Sequence, residues 1–336
     1  MLFLELLRRE AAADPARMAR VLDGLRAYQE AERTPPLATK PVLAERRGVS
    51  LRDYGGSGPP VLFVPSRINP ASILDLSHER SLLRWLANRG HHVLLLDWGT
   101  DAAGRRNLSV ADHVAELLVP LMSALGEAPA LVGYCLGGTM AVAAAALAPV
   151  RRLATIAAPW RFSGFPDESR RRLVALWAAA EPTVTALGLL PMEVLQSAFW
   201  SLDPQRTIAK FEVFAAMPPG SPQALSFVTL EDWANDGPPI GQAAARELFE
   251  DLFARDLTGT GGWLVAERAI DPAALPCPAL HILSTTDRIV PAASAPTGGA
   301  RLELALGHVG MVVGSRAHDA LWAPLDRWLS KPSGGW

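Results

Sequence analysis

The sequence has only two cysteines, Cys135 and Cys277, among 336 residues. Two cannot build a disulfide framework, and a reducing cytoplasm is the simpler setting. Neither sign of charge is in excess: 32 basic residues against 34 acidic ones leave a formal net charge of −2. No global basic field exists to attract nucleic acid, so none is expected as a partner. No grouping of Cys, His, Asp and Glu has metal-ligand spacing, so no metal is expected. Neither a phosphate loop nor a dinucleotide fingerprint occurs. A secretory leader is not expected either, because the apolar start is interrupted at Glu5 and Arg8 and Arg9 follow it instead of preceding it. One run, 130–150, is 21 residues without a charge, which is long enough to cross a bilayer. Three glycines interrupt it and much of it is alanine, so a strand, a turn and a buried helix account for it without a membrane span.

Apolar material is ample: hydrophobic residues make up 49% and charged residues 20%, a balance that excludes a disordered chain. The 28 prolines and 27 glycines follow no period, which suggests many loops and no repeat array. Met18, Val21, Leu22, Leu25 and Tyr28 recur at helical spacing, so the segment from Leu2 to Arg33 reads as one amphipathic helix or two. Residues 42–53 are weakly strand-like. Val61–Val64, His92–Asp97 and 130–133 are short apolar runs of the kind buried on both faces of a sheet. Helical patterns alternate with them at 77–90, 109–125 and 136–147. That alternation predicts a mostly parallel sheet with helices on both faces. The rhythm is lost between Pro159 and Ile270 and resumes with strands near Ala279 and Arg301 and a closing helix at 317–329. The expected organisation is an N-terminal helical segment (1–40), an α/β core (41–158 and 271–336) and a mostly helical cap inserted at 159–270.

The most informative segment is Gly133-Tyr134-Cys135-Leu136-Gly137-Gly138, which ends a buried strand and opens an apolar helix. A strand that turns sharply into a helix holds its turn residue in a strained conformation above the sheet. Small neighbours (Gly133, Gly137 and Gly138) permit that approach. The helix N-terminus directs N–H groups at the same point, where they favour a thiolate and later an oxyanion. Without partners, the motif can also be read as a buried cysteine in a glycine-rich turn. Cys277, between Pro276 and Pro278, has no such setting and reads as structural.

An elbow nucleophile needs a histidine to handle its proton and a carboxylate to orient that histidine, in the chain order nucleophile, acid, histidine. Asp287 follows the strand near Ala279, 152 residues after the nucleophile (287 − 135), and His308 follows the next strand 21 residues later (308 − 287). His281 lies inside an apolar strand and reads as a core residue. His78, His91, His92, His113 and His318 have charged or helical surroundings and read as surface residues. Asp97 ends a strand upstream of the nucleophile and reads as structural.

With these residues placed, the sequence resembles the polyhydroxyalkanoate synthase family, whose fold is that of the α/β-hydrolases. The likeness extends to Pro65-Ser-Arg-Ile-Asn-Pro and Ile73-Leu-Asp-Leu76, to Gly90-His-His-Val-Leu-Leu-Leu-Asp-Trp-Gly99, to Asp287-Arg-Ile-Val-Pro and to Gly307-His308-Val-Gly-Met. It covers roughly Val61 to Leu329 and is weakest in the cap. The Asp-Trp-Gly is most like the short synthases that work with a second subunit. The chain departs from the family at Ala71-Ser72, where an aromatic pair is expected, in its shorter N-terminal part, and in the loosely matched cap motif Leu230–Asp236.

The resemblance implies an acyltransferase that polymerises (R)-3-hydroxyacyl-CoA with release of CoA and needs no cofactor. Cys135 would be the acyl-accepting nucleophile, His308 the base and Asp287 its orienter. Backbone N–H groups of Leu136 and of Arg67 and Ile68 would form the oxyanion hole. It also implies a growing polyester chain as co-substrate, a second copy or a second synthase subunit as partner, and a cytoplasmic location at a polyester granule surface. Arg161, Arg170, Arg171 and Arg172 are candidates for CoA's phosphates, against the simpler reading as solvated surface. Two other readings stand beside this one. One is a cysteine-dependent hydrolase on the same scaffold, a polyester depolymerase or thioesterase, set apart by whether water reaches the acyl-enzyme. The other is a non-catalytic granule- or partner-binding protein with a relict site.

Overall fold

The computed structural model describes residues 3–100 and 103–331. Met1 and Leu2, part of the apolar start, fall outside the described residues. Continuous apolar runs become strands buried along their length, as in Pro60–Val64 and Ala130–Tyr134, where every residue is buried. Eight strands form one sheet: β1 (Val42–Arg46), β2 (Val49–Asp53), β3 (Pro60–Val64), β4 (His92–Asp97), β5 (Ala130–Tyr134), β6 (Arg152–Ile156), β7 (Ala279–Ser284) and β8 (Ala300–Leu304). Their spatial order is β1-β2-β4-β3-β5-β6-β7-β8. The weakly patterned segment 42–53 is the β1–β2 hairpin, turned by Arg47 and Gly48 at φ 49° and 73°. It lies antiparallel at one edge, and β2 pairs antiparallel with β4, while all later neighbours run parallel. The strand order reverses beside β3: the chain moves outward to β4 and then returns to β5 on the other side. Such a reversal opens a crevice at the carboxyl ends of the central strands.

The charge-free run resolves into β5 and the helix Leu136–Leu147, ten of whose residues are buried. Its alanines and glycines bring the helix axis close to β5 and β6 and leave almost no room for water. Among the described residues no helix is long and apolar enough to cross a membrane.

Two helices differ from the sequence pattern. The expected helix at 77–90 begins only at Leu82, because the Ser81 side chain accepts from Arg84 N–H at 3.0 Å as an N-cap and Asp75 bridges to Ser81. The helical stretch after Ser109, which opens with a Ser109–Asp112 capping box, widens into a π-turn over His113–Leu118.

The chain divides into two compact units: Met1–Pro36 with Pro191–Gly237, and Leu37–Leu190 with Pro238–Trp336. Residues 159–270 therefore do not form one body. Their middle portion belongs with the N-terminal helices, and their two ends belong with the sheet. In the helical unit, Phe3–Ala11 and Pro15–Glu30 enclose Leu6, Leu7, Val21, Ile208 and Phe211 together with Pro204–Ala215. Gly24 lies where a Cβ would overlap the Phe211 carbonyl, so the two helices meet nearly backbone to backbone. Tyr28 Oη donates to Asp232 at 2.5 Å and Lys210 pairs with Glu231 at 2.5 Å. Glu231 and Asp232 of the family-like motif at 230–236 thus serve this unit's own packing.

Candidate active site

Cys135 sits between β5 and the helix Leu136–Leu147 at φ 55° and ψ −132°, a conformation sparsely populated by any residue with a side chain. Such an outlier costs about 1–3 kcal/mol and persists only where the surroundings over-determine it. Here its N–H donates to Ile156 O of β6 at 2.9 Å and its carbonyl accepts from Gly138 N–H at 2.8 Å. A Cβ on Gly137 would overlap the carbonyl oxygens of Val64 and Pro65, and one on Gly133 would overlap Gly138. The elbow therefore closes only with glycine at these positions.

Asp287 and His308 follow the ends of β7 and β8, the last two parallel strands of the sheet. Asp287 Oδ1 accepts from the N–H groups of Ile289 and Val290 at 2.8 and 3.0 Å. Its Oδ2 lies 2.7 Å from His308 Nδ1. The carboxylate only accepts, so Nδ1 carries the proton and Nε2 is the nitrogen left for chemistry. Cys135 lies close enough to the same imidazole to act on it electrostatically. Ser284 Oγ ties the two loops together by donating to Leu306 O while accepting from Leu306 N–H at 3.2 Å. Asp287 and His308 are both nearly closed to solvent, while Cys135 is half-buried.

These charges set the state of the histidine. Burial alone would push the His308 imidazole down, but attraction to Cys135 and Asp287 and the hydrogen bond to Asp287 outweigh it. The group is pushed up to about 10. A neutral imidazole in this position would be a weak partner for sulfur, whereas an imidazolium fixed between two acceptors can give and retake a proton without moving.

Tyr134, inside the elbow motif but not singled out by it, stacks on His308 with ring centroids 5.1 Å apart and donates from its Oη to the His308 carbonyl at 3.2 Å. Burial and the nearby negative charges hold its phenol well above the ordinary value, so it stays a neutral donor.

The loop after β3 passes beside the elbow. Trp98, from the Asp-Trp-Gly segment, donates its indole N–H to Pro65 O at 3.0 Å and so anchors that loop. Ile68 N–H is already given to Ser66 Oγ at 3.1 Å, because the serine folds the backbone into a local turn. Of the three expected oxyanion donors, Ile68 is therefore the engaged one. Leu136 N–H belongs to the first turn of its helix, where no intrahelical acceptor exists. Asp75, of the Ile-Leu-Asp motif, accepts from Arg84 at 2.7 and 3.0 Å and from Tyr54 Oη at 2.9 Å. It is a structural carboxylate.

Asp97 pairs with Arg52 at 3.0 Å and caps Gly99 N–H, as its structural reading required. His281 is a core residue, as its apolar strand predicts, with Nδ1 2.8 Å from Thr155 Oγ1. His113 differs from its reading as a surface residue: it is wholly buried, with Nδ1 2.7 Å from Ser109 O. It falls three residues after Val110 and four before Leu117, on the apolar face of its helix, and that spacing was the available signal. His91, also expected at the surface, is tied to buried Asp326 at 2.7 Å. Burial pushes the Cys277 thiol up to about 11, which suits a structural cysteine. The four cap arginines all have internal partners: Arg171 and Arg172 pair with Glu168 at 2.9 Å, Arg170 donates to the Phe253 carbonyl, and Arg161 donates to that of Ala293. Among the described residues no group of His, Cys, Asp and Glu could hold a metal ion.

Comparison with known proteins agrees with this architecture. The poly(3-hydroxyalkanoate) polymerase subunits PhaC of Haloferax mediterranei and Haloarcula marismortui are 28% and 27% identical over 82% and 87% of this chain. That of Allochromatium vinosum is 27% identical over 81%. The resemblance expected from the motifs is borne out by these relatives. The chain spans 59% and 65% of the two archaeal proteins and 81% of the bacterial one. Among solved structures, BpoC of Mycobacterium tuberculosis superposes with a TM-score of 0.54 at 15% identity, covering 88% of this chain and 100% of its own. The hydrolase olei00960 of Oleispira antarctica does so with 0.51 at 11% identity, covering 84% and 94%. Both likenesses are of fold. Residues 59–309 match the family described as the alpha/beta hydrolase fold. With the parallel sheet, the strained elbow after β5 and a match across most of its length, the chain belongs to the α/β-hydrolase fold family.

Proposed function

We propose that this chain is an acyltransferase that polymerises (R)-3-hydroxyacyl units from their CoA thioesters, with Cys135, His308 and Asp287 as its catalytic residues. One observation carries the reading: the strained elbow holds sulfur at its nucleophile position, beside an imidazole that Asp287 engages at 2.7 Å and that is raised to about 10. The named activity of the polymerase relatives agrees with it.

In this mechanism the Cys135 thiolate attacks the thioester carbonyl, and the developing oxyanion is met by the Leu136 and Arg67 backbone N–H groups. The bond between carbonyl carbon and CoA sulfur breaks, and CoA leaves with the proton of the His308 imidazolium. One thioester replaces another, so this exchange is nearly balanced in bond energy. Neutral His308 then takes the proton of a 3-hydroxyl, whose oxygen attacks the acyl group on Cys135. An oxygen ester forms, the carbon–sulfur bond of the acyl-enzyme breaks, and the thiolate–imidazolium pair is restored. Asp287 holds the proton on Nδ1 and stabilises the imidazolium throughout. A second subunit and a granule surface are part of the proposal, the former supported by the relatives' designation as subunits.

The test is incubation of purified protein with 3-hydroxybutyryl-CoA, alone and with a candidate second subunit, following CoA release, acylation of Cys135 and product size together. Insoluble polymer is the expected product. Free 3-hydroxybutyrate without polymer would replace this reading with a hydrolase, and no acylation under either condition would remove enzymatic function altogether.

A further inference from the structure

An imidazole can be held at its nitrogen edges or by its faces. In His308 one edge is already used, because Nδ1 lies 2.7 Å from Asp287 Oδ2. The other, Nε2, must stay open, since it gives a proton to a leaving sulfur and takes the next from a hydroxyl. A face is what remains for steadying the ring. Tyr134 covers one: its ring lies 29° from parallel to the imidazole, with centroids 5.1 Å apart. The same side chain donates from its Oη to the His308 carbonyl at 3.2 Å. One residue therefore grips both the ring and the main chain of the base. It is only 2% exposed, so water hardly competes for either contact.

That grip has a rigid root. Tyr134 is the last residue of β5, in register with Ile156 of β6, and the next residue, Cys135, donates its N–H to Ile156 O at 2.9 Å. Nucleophile and clamp are thus consecutive residues of one strand end, fixed to the middle of the sheet. Asp287 reaches His308 from a separate loop, after β7. The placing of the imidazole relative to the sulfur is therefore set most directly by Tyr134.

The need for such a grip changes through the reaction. In the free enzyme the charges of Cys135 and Asp287 attract the imidazolium against the cost of its burial. Acylation turns the thiolate into a neutral thioester, and the attraction from sulfur vanishes. The bond to Asp287 that remains tolerates about 30° of misalignment. A misplacement of about 1 Å at a reacting group can cost about 10²-fold in rate, so that freedom is harmful. The stack limits it without touching either nitrogen, and an aromatic face attracts the imidazolium that forms as the hydroxyl gives up its proton. We infer that Tyr134 is a positioning residue for the second half of the reaction, holding the His308 imidazole in place while Cys135 carries the acyl group. In that step the hydroxyl proton goes to Nε2, the hydroxyl oxygen bonds to the acyl carbon, and the carbon–sulfur bond breaks to return the thiolate. This rests on the acyl-transfer reading of Cys135.

The experiment measures the two half-reactions apart, by mass spectrometry of the intact protein. The first is acylation of Cys135 by stoichiometric 3-hydroxybutyryl-CoA. The second is loss of that acyl group on addition of excess methyl 3-hydroxybutyrate, whose free hydroxyl is the acceptor. Tyr134→Leu is expected to slow the second step about 10–10²-fold more than the first, so that acyl-enzyme accumulates. Tyr134→Phe keeps the ring and loses the carbonyl bond, and should slow both steps alike by no more than about tenfold. A merely structural role would slow both steps alike in the leucine variant too. Equal slowing in Tyr134→Leu with its melting temperature preserved would overturn the inference, as would the leucine pattern appearing in Tyr134→Phe. A second measurement needs no variant of Tyr134. In NMR spectra of the wild type, the ring current of Tyr134 should shift the His308 ring protons upfield, and that shift should persist when Cys135 is acylated with butyryl-CoA, which brings no hydroxyl. Its disappearance on acylation would overturn the inference even where the leucine variant does not fold. Failure of wild-type Cys135 to accept either acyl group would instead overturn the acyl-transfer reading, and this inference with it.

Discussion

Replacing Asp287 by Asn tests the charge logic of the site with little change of shape. The side-chain oxygen can still accept from Ile289 and Val290, at 2.8 and 3.0 Å in the native protein, so the loop has a reason to remain in place. The atom 2.7 Å from His308 Nδ1 becomes an amide nitrogen, which donates. Two donors then face each other, and the imidazole is driven to the wrong tautomer. The negative charge that helps hold His308 at about 10 also disappears, while the burial opposing it remains. Each tenfold change in proton affinity is worth about 1.4 kcal/mol, so returning the imidazole towards its ordinary value removes several kcal/mol of imidazolium stabilisation, shared between Asp287 and Cys135. The carboxylate's part is on the order of 2 kcal/mol, roughly thirtyfold in rate, and the tautomer fault adds to it. Removing the analogous carboxylate in a serine triad costs about 10⁴-fold, which sets the upper bound. CoA release should therefore fall by about 10²–10⁴-fold in Asp287→Asn. The pH profile provides the second measurement. A histidine raised in this way keeps its proton below about 10, so the wild-type alkaline limb should lie near that value, and the variant's should move down by a unit or more. An unchanged limb with a rate within threefold of wild type would refute the assignment of Asp287 as the orienting charge.

Three further outcomes follow from local geometry. Cys135→Gly should abolish acylation yet raise stability by about 1 kcal/mol in urea unfolding, because glycine adopts the φ of 55° without strain. Gly137→Ala should destabilise by at least about 2 kcal/mol and depress activity, since its Cβ meets backbone oxygens of Val64 and Pro65 that cannot rotate away. A melting temperature equal to wild type would contradict the close approach. Asp75→Asn should cost about 2–3 kcal/mol by weakening the bonds from Arg84 and Tyr54 around a nearly buried carboxylate, while Cys135 is still acylated. Loss of acylation without loss of stability would give Asp75 a role that its contacts do not suggest.

Much of this was legible in the residue order. Continuous apolar runs marked β3, β4, β5 and β7 because a strand covered on both faces has no polar side to alternate. The nucleophile, acid and histidine were found because each must stand at the carboxyl end of a strand, and strand ends can be read locally. The charge-free stretch at 130–150 was correctly divided by its glycines. Other features depended on the conformation of a loop or on groups distant in sequence. Ile68 N–H is occupied by a serine two residues away, a choice made by the loop's conformation rather than its composition. Residues 191–237 pack with the N-terminal helices, a partnership between segments more than 150 residues apart that no local pattern records. His113 reads as a surface residue beside the charged Asp112 and Glu116, yet it is wholly buried. Only the folded chain decides this, because burial and hydrogen-bond satisfaction are properties of a place in space and not of a position in the chain.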